Sequence, residues 1–140
     1  MMKKILVPTD LSELGDYAFN IAQRLSDTTG AEIHLISIVT APGGAWFSPE
    51  GELLEDDGMN LSAYTEELNN TKDSLRIFAD SKPSVTNNMV LTGTVNDEIL
   101  NYINKENIDM VVMGTHGATG VQEVVIGSHA EHIVRKSPVP

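Results

Sequence analysis

Four short runs of β-branched and aliphatic residues alternate with four segments of helical periodicity, and this alternation restricts the chain to one class of architecture. The first run, Lys4–Thr9, ends near Pro8 and is followed by Ser12, a good helix N-cap. Apolar residues then fall at 14, 17, 18, 21, 22 and 25, the spacing of one helix face, and Gly30 supplies a stop. Ile33–Val39 is almost continuously apolar, as a strand covered on both faces must be. A second helix is expected over Leu61–Ser81, with Tyr64, Leu68, Leu75, Phe78 and Ala79 on one stripe and Pro83 beyond it. Val85–Thr92 reads as a third, more polar strand nearer a sheet edge, and Asn96 as the cap of a short helix carrying Ile99, Leu100 and Ile103. Ile108–Met113 is the fourth strand and Ser128–Lys136 the last helix. The order β-α-β-α-β-α-β-α implies an α/β fold: an open parallel sheet with right-handed crossovers and helices on both faces.

One strand–loop–helix junction carries a chemical signal. Gly114-Thr115-His116-Gly117 follows the fourth strand, and nine residues after Gly117 comes Gly127-Ser128 at the start of the last helix. Glycines let bare backbone N–H groups approach a phosphate, and a helix N-terminus favours an anion. The glycines alone serve a simple linker equally well. A P-loop is excluded, because no glycine here is followed by Lys, and the dinucleotide fingerprint is excluded, because Gly114, Gly117 and Gly120 are evenly spaced and late in the chain.

Composition narrows the partners. The 140 residues fit one domain. Cysteine is absent, so disulfides and thiolate metal sites are excluded. Nine basic against twenty acidic residues give a net charge of −11, which argues against nucleic acid and against an anionic membrane surface. No apolar run approaches the ~20 residues that a membrane-spanning helix needs. No signal-peptide core is evident either, and a cytoplasmic location is expected. The stretch Thr40–Asn60, with Pro42, Gly43, Gly44, Pro49 and the acidic run Glu55-Asp56-Asp57, reads as a long surface loop. Trp46 and Phe47 either pin that loop to the body or cover a ligand. The chain ends at Ser137-Pro138-Val139-Pro140, where a fifth strand is expected, so it reads as a truncated chain or as one domain of a longer polypeptide, with an open edge on strand 4.

Taken together, Lys4-Ile5-Leu6-Val7-Pro8-Thr9-Asp10, Val90-Leu91-Thr92-Gly93 and the run from Met113 to Pro140 resemble the universal stress protein family. The Gly-x2-Gly-x9-Gly-Ser spacing resembles that family's ATP-binding branch. The resemblance implies a strand order 3-2-1-4(-5), with the ligand at the switch point between strands 1 and 4. It implies ATP, or AMP or ADP, as the ligand, with Mg or Mn held through the phosphates and no metal ligand from protein side chains. It further implies that Pro8 and Thr9 shape the adenine slot, that Asp10 bonds the base or neighbouring amides, and that Ile38 offers backbone groups to the base edge. Met113 would pack on base or ribose, and Gly93 would leave room beside the ribose. Gly114, Thr115, His116 and Gly117 would line the path to the α-phosphate, and Gly127, Ser128 and the amide of His129 would hold the outer phosphates. His116 or His129 could also donate to phosphate from the ring.

The sequence departs from the family pattern in its spacer, Ala118–Ile126, which has no Lys or Arg and one acid, Glu123. The resemblance implies that two subunits commonly pair through the fifth strand, which is missing here; the expected assembly is nonetheless a homodimer, or pairing with a second domain of the same kind. No nucleophile–base pair or flanking carboxylate pair is evident, and slow ATP hydrolysis is the most that the chain is expected to catalyse. A nucleotide-free interaction module of the same fold is the competing reading. His129, Glu131 and His132 lack a further partner for a metal site, and His34 on a buried strand is expected to be a hydrogen-bonded core residue.

Overall fold

The computed structural model describes residues 1–40, 59–114 and 128–140. In chain order the elements are β1 (Lys4–Pro8), α1 (Glu13–Thr29), β2 (Glu32–Val39), α2 (Met59–Asp80), β3 (Val85–Thr92), α3 (Val95–Lys105), β4 (Met110–Val111) and α4 (Ser128–Lys136). The four strands form one parallel sheet in the order β3-β2-β1-β4.

Strand alternation divides the core into two layers, because successive side chains point to opposite faces. Ile5 and Val7 of β1 join Ile33 and Leu35 of β2, and on them sit Phe19 and Ala22 of α1 with Leu75 and Ala79 of α2. Leu6 and Ile36 point the other way, onto Ile99, Tyr102 and Ile103 of α3 and Ile133 of α4. All of these strand residues have no exposed surface, which explains why β1 and β2 carry unbroken apolar runs. Helices α1 and α2 therefore cover one face, α3 and α4 the other. The chain leaves β1 over the first face and reaches β4 over the second, so the connections diverge between these neighbouring strands.

Local signals account for most boundaries. Ser12 accepts a bond from the Gly15 amide at the start of α1, and Gly30 ends it in the left-handed conformation (φ 77°). β3 and α4 have the expected bounds, and α2 begins two residues earlier than expected. Two expectations need correction. The N-cap of α3 is Thr94, without a side-chain bond; Asn96 lies inside the first turn and its side chain goes elsewhere. β4 is only Met110–Val111, because the Ile108 amide donates to the Ile103 carbonyl and so belongs to the turn leaving α3, where Asn107 is left-handed (φ 55°).

No fifth strand is present among the described residues. Even so, the β4 edge is not open along its length. The Val111 amide donates to the Pro140 carbonyl at 2.8 Å, and Val139 packs against the second core layer. The Trp46–Phe47 expectation lies outside the described residues.

Candidate functional site

The site is built where β1, β2, β3 and β4 end. The ladder continues one residue past β1: the Thr9 amide donates to the Ile36 carbonyl at 2.8 Å, and Ser37 Oγ donates to the Thr9 carbonyl at 2.8 Å. The chain then turns sharply. Thr9 Oγ1 accepts from the Leu11 amide at 3.0 Å, and Asp10 Oδ1 accepts from the Ser12 amide at 2.9 Å. Between them Leu11 has φ 63°, a left-handed conformation that costs a non-glycine residue about 1–2 kcal/mol. Bonds on both sides hold it there, and Leu11 packs against the first core layer. Asp10 is exposed, at the mouth of the turn and next to the N-terminus of α1.

Gly15 belongs to this turn although sequence periodicity placed it only inside a helix. A Cβ on it would stand 2.5 Å from Thr9 Oγ1 and 3.3 Å from Asp10 Oδ1. Its one sequence signal is a glycine within a helical pattern, which points to a close approach.

At the neighbouring strand ends, Ile38 is half-buried against the second core layer, and the Val39 carbonyl accepts from the Gly93 amide at 3.3 Å. Gly93 has φ 142°, which only glycine adopts readily. The room beside it is already filled: a Cβ there would meet Glu98 Oε1 at 2.7 Å. Met113 and Gly114 are half-buried beyond β4, Met113 against the second core layer. Ser128 begins α4, and His129 is exposed in its first turn. The His129 ring turns toward α3, its Nδ1 lying 3.1 Å from Asn96 Oδ1. An amide oxygen can only accept, so the imidazole donates. Thr115, His116, Gly117 and Gly127 lie outside the described residues. Pro8, Thr9, Asp10, Ile38, Gly93, Met113, Gly114, Ser128 and His129 thus all stand at the carboxyl-end side of the sheet.

The groups with displaced titration lie elsewhere. Glu32 is held below the usual carboxylate range, first by its hydrogen bond with His34. His34 is buried, with Nε2 at 3.0 Å from Glu32 Oε1 and Nδ1 at 2.8 Å from the Tyr102 hydroxyl. A carboxylate accepts, so the imidazole donates from Nε2, and in that tautomer Nδ1 accepts the hydrogen bond of the tyrosine hydroxyl. This is the hydrogen-bonded core histidine expected from the sequence. Burial pushes the Tyr102 hydroxyl up. Asp109 is lowered by the Lys3 and Lys4 amides that donate to it at 2.8 and 3.0 Å. Glu131 pairs with Arg135 at 2.7 Å on the exposed side of α4. Among the described residues no three His, Asp or Glu side chains gather to hold a metal ion, and no helix is long and apolar enough to cross a membrane.

The fold has counterparts among known proteins. The chain is 26% identical to universal stress protein MJ0577 of Methanocaldococcus jannaschii, over all of this chain and 93% of that one. The solved structure of MJ0577 superposes with a TM-score of 0.82. Universal stress protein UspA from Lactobacillus plantarum superposes with a TM-score of 0.81 at 21% identity, over 98% of this chain and 93% of that one. A universal stress protein in complex with cAMP shares the fold at a TM-score of 0.58 and 18% identity, over 98% of this chain and 92% of that one. The model of the universal stress protein family matches residues 1–140, and the chain belongs to that family.

Proposed function

We propose that this chain is a regulatory module of the stress response that binds an adenine nucleotide at the carboxyl ends of β1 and β4. ATP is the nucleotide, with Mg²⁺ or Mn²⁺ on its phosphates. The observation that carries the reading is the Gly114-x2-Gly117-x9-Gly127-Ser128 spacing, which leaves the sheet at the point where the connections of β1 and β4 diverge. The bonded turn at Thr9–Ser12 and the start of α4 at Ser128 flank that point. The cAMP complex of a protein of this fold supports the ligand class. Asp10 and Thr9 meet the base, the backbone near Ile38 meets its edge, and the amides opening α4 meet the phosphates. The module works in the cytoplasm as a homodimer, or paired with a second domain of its kind.

Replacing Gly117 or Gly127 with Val blocks the backbone approach. Calorimetry is expected to show Mg·ATP affinity lowered by tenfold or more in both variants, about 1.4 kcal/mol. Equal affinity in wild type and both variants would contradict the reading. One observation favours the second reading, a nucleotide-free interaction module. The spacer 118–126 has no Lys or Arg to meet a triphosphate.

A further inference from the structure

The charges of this molecule are sorted along the strand direction. In a parallel sheet with crossover helices, strands begin and helices finish at one end. All nine Lys and Arg residues lie toward that end. Lys3 and Lys4 open β1, and Lys82 sits in the turn before β3. Lys105, Arg135 and Lys136 finish α3 and α4, and Arg24, Lys72 and Arg76 fall in the second halves of α1 and α2. Among the described residues the other end, where the candidate site lies, holds acids and no Lys or Arg. Asp10, Glu13 and Asp16 stand at the β1–α1 turn, and Asp97 and Glu98 open α3. The sequence segments 41–58 and 115–127 contain no Lys or Arg. Among the described residues the fixed positive contributions there are the N-terminal dipole ends of the helices, which act within about one turn.

We propose that this field makes the site select its nucleotide by charge, taking AMP or Mg²⁺-bound ATP in preference to free ATP. The inference rests on the adenine-nucleotide reading above and adds a ranking within it. A phosphate monoester carries about −2 at neutral pH, and each further phosphoryl group adds more negative charge. Local amides hold the phosphates at close range, where salt matters little. The repulsion comes from acids spread over a whole end of the molecule, where salt matters most. Raising ionic strength from about 0.01 to about 0.15 M shortens the screening length from about 30 to about 8 Å. Added salt therefore strengthens the binding of free ATP. An ordinary anion site, lined by Lys and Arg, behaves in the opposite way.

The test is calorimetric titration of AMP, ATP with EDTA, and ATP with excess Mg²⁺ into the full chain, in low and moderate KCl. The expected result is that free ATP binds at least about threefold more tightly at the higher salt, while AMP and Mg·ATP change by less. A Glu13→Gln/Asp97→Asn variant, altered at two exposed residues, is expected to bind AMP as wild type does and to lose part of the salt effect on free ATP. Free ATP that weakens with salt, or that changes no more than Mg·ATP does, would overturn the ranking and leave the nucleotide reading intact. Failure of all three ligands to bind at either salt would overturn the reading itself, and the ranking with it.

Discussion

Leu11 shows how single residues shape this molecule. Its left-handed backbone is costly, and it persists because Thr9 Oγ1 takes its own amide while Asp10 Oδ1 takes that of Ser12. Ser12 then caps α1, with Oγ 3.3 Å from the Gly15 amide, a long bond for a cap. Ser12→Ala is accordingly expected to cost about 0.5–1 kcal/mol, the lower part of the usual capping range. The buried pair His34–Tyr102 gives a second case. Tyr102→Phe leaves His34 Nδ1 without its 2.8 Å partner, and Asn87 Nδ2, at 3.5 Å, is the nearest replacement donor. An unmet buried acceptor costs about 1–3 kcal/mol, and Asn87 brings the expected loss toward the lower value. Urea unfolding of both variants measures these losses. A Tyr102→Phe protein as stable as wild type would show that Asn87 compensates fully. Such contacts were not all legible in the sequence. The role of Ser12 and the core placement of His34 were, because each follows from residue type and local pattern. Glu98 over Gly93, Thr9 against Gly15 and the His129 ring on Asn96 were not, because each depends on how separate segments meet.

At the scale of elements, periodicity located every helix and strand, and it failed only where tertiary contacts decide. β4 is shorter than its apolar run because Ile108 closes the turn leaving α3. Thr94 rather than Asn96 caps α3, so that Asn96 is available to α4. The join between β1 and β4 has a polar clamp that no periodicity reveals. The Asp109 carboxylate takes the Lys3 and Lys4 amides, and the Asp109 amide donates to the Lys4 carbonyl at 3.0 Å. Those bonds lower the folded-state pKa of Asp109 below its unfolded value of about 3.9. Its contribution to stability is therefore fully present above about pH 4 and is lost as pH falls through the lower folded value. Glu32, also lowered, acts in the same direction. Asp109→Asn is expected to melt below wild type at pH 7, with the gap closing as pH falls below the ordinary carboxylate range and the wild-type carboxyl protonates. Thermal melts across that range measure it. A gap independent of pH would show that the clamp does not depend on the charge.

At the scale of the whole molecule, the sheet order β3-β2-β1-β4 is what turns separate strand ends into one site. Alternation alone implied a parallel sheet; the order came from the family resemblance, and the structure has it. The parallel strands with their crossover helices define two ends, and all nine Lys and Arg residues fall toward the end where the strands begin. On the proposed reading, the site sets backbone amides that hold phosphate against a surrounding field opposed to it. The measurement that tests the site most directly is amide chemical-shift mapping of the ¹⁵N-labelled chain with Mg·ATP. The account predicts shifts at Thr9, Asp10, Ile38, Gly114, Ser128 and His129, and none at Lys4, Ser84 or Asn107 at the opposite end. Shifts confined to that opposite end, or none at saturating nucleotide, would contradict it.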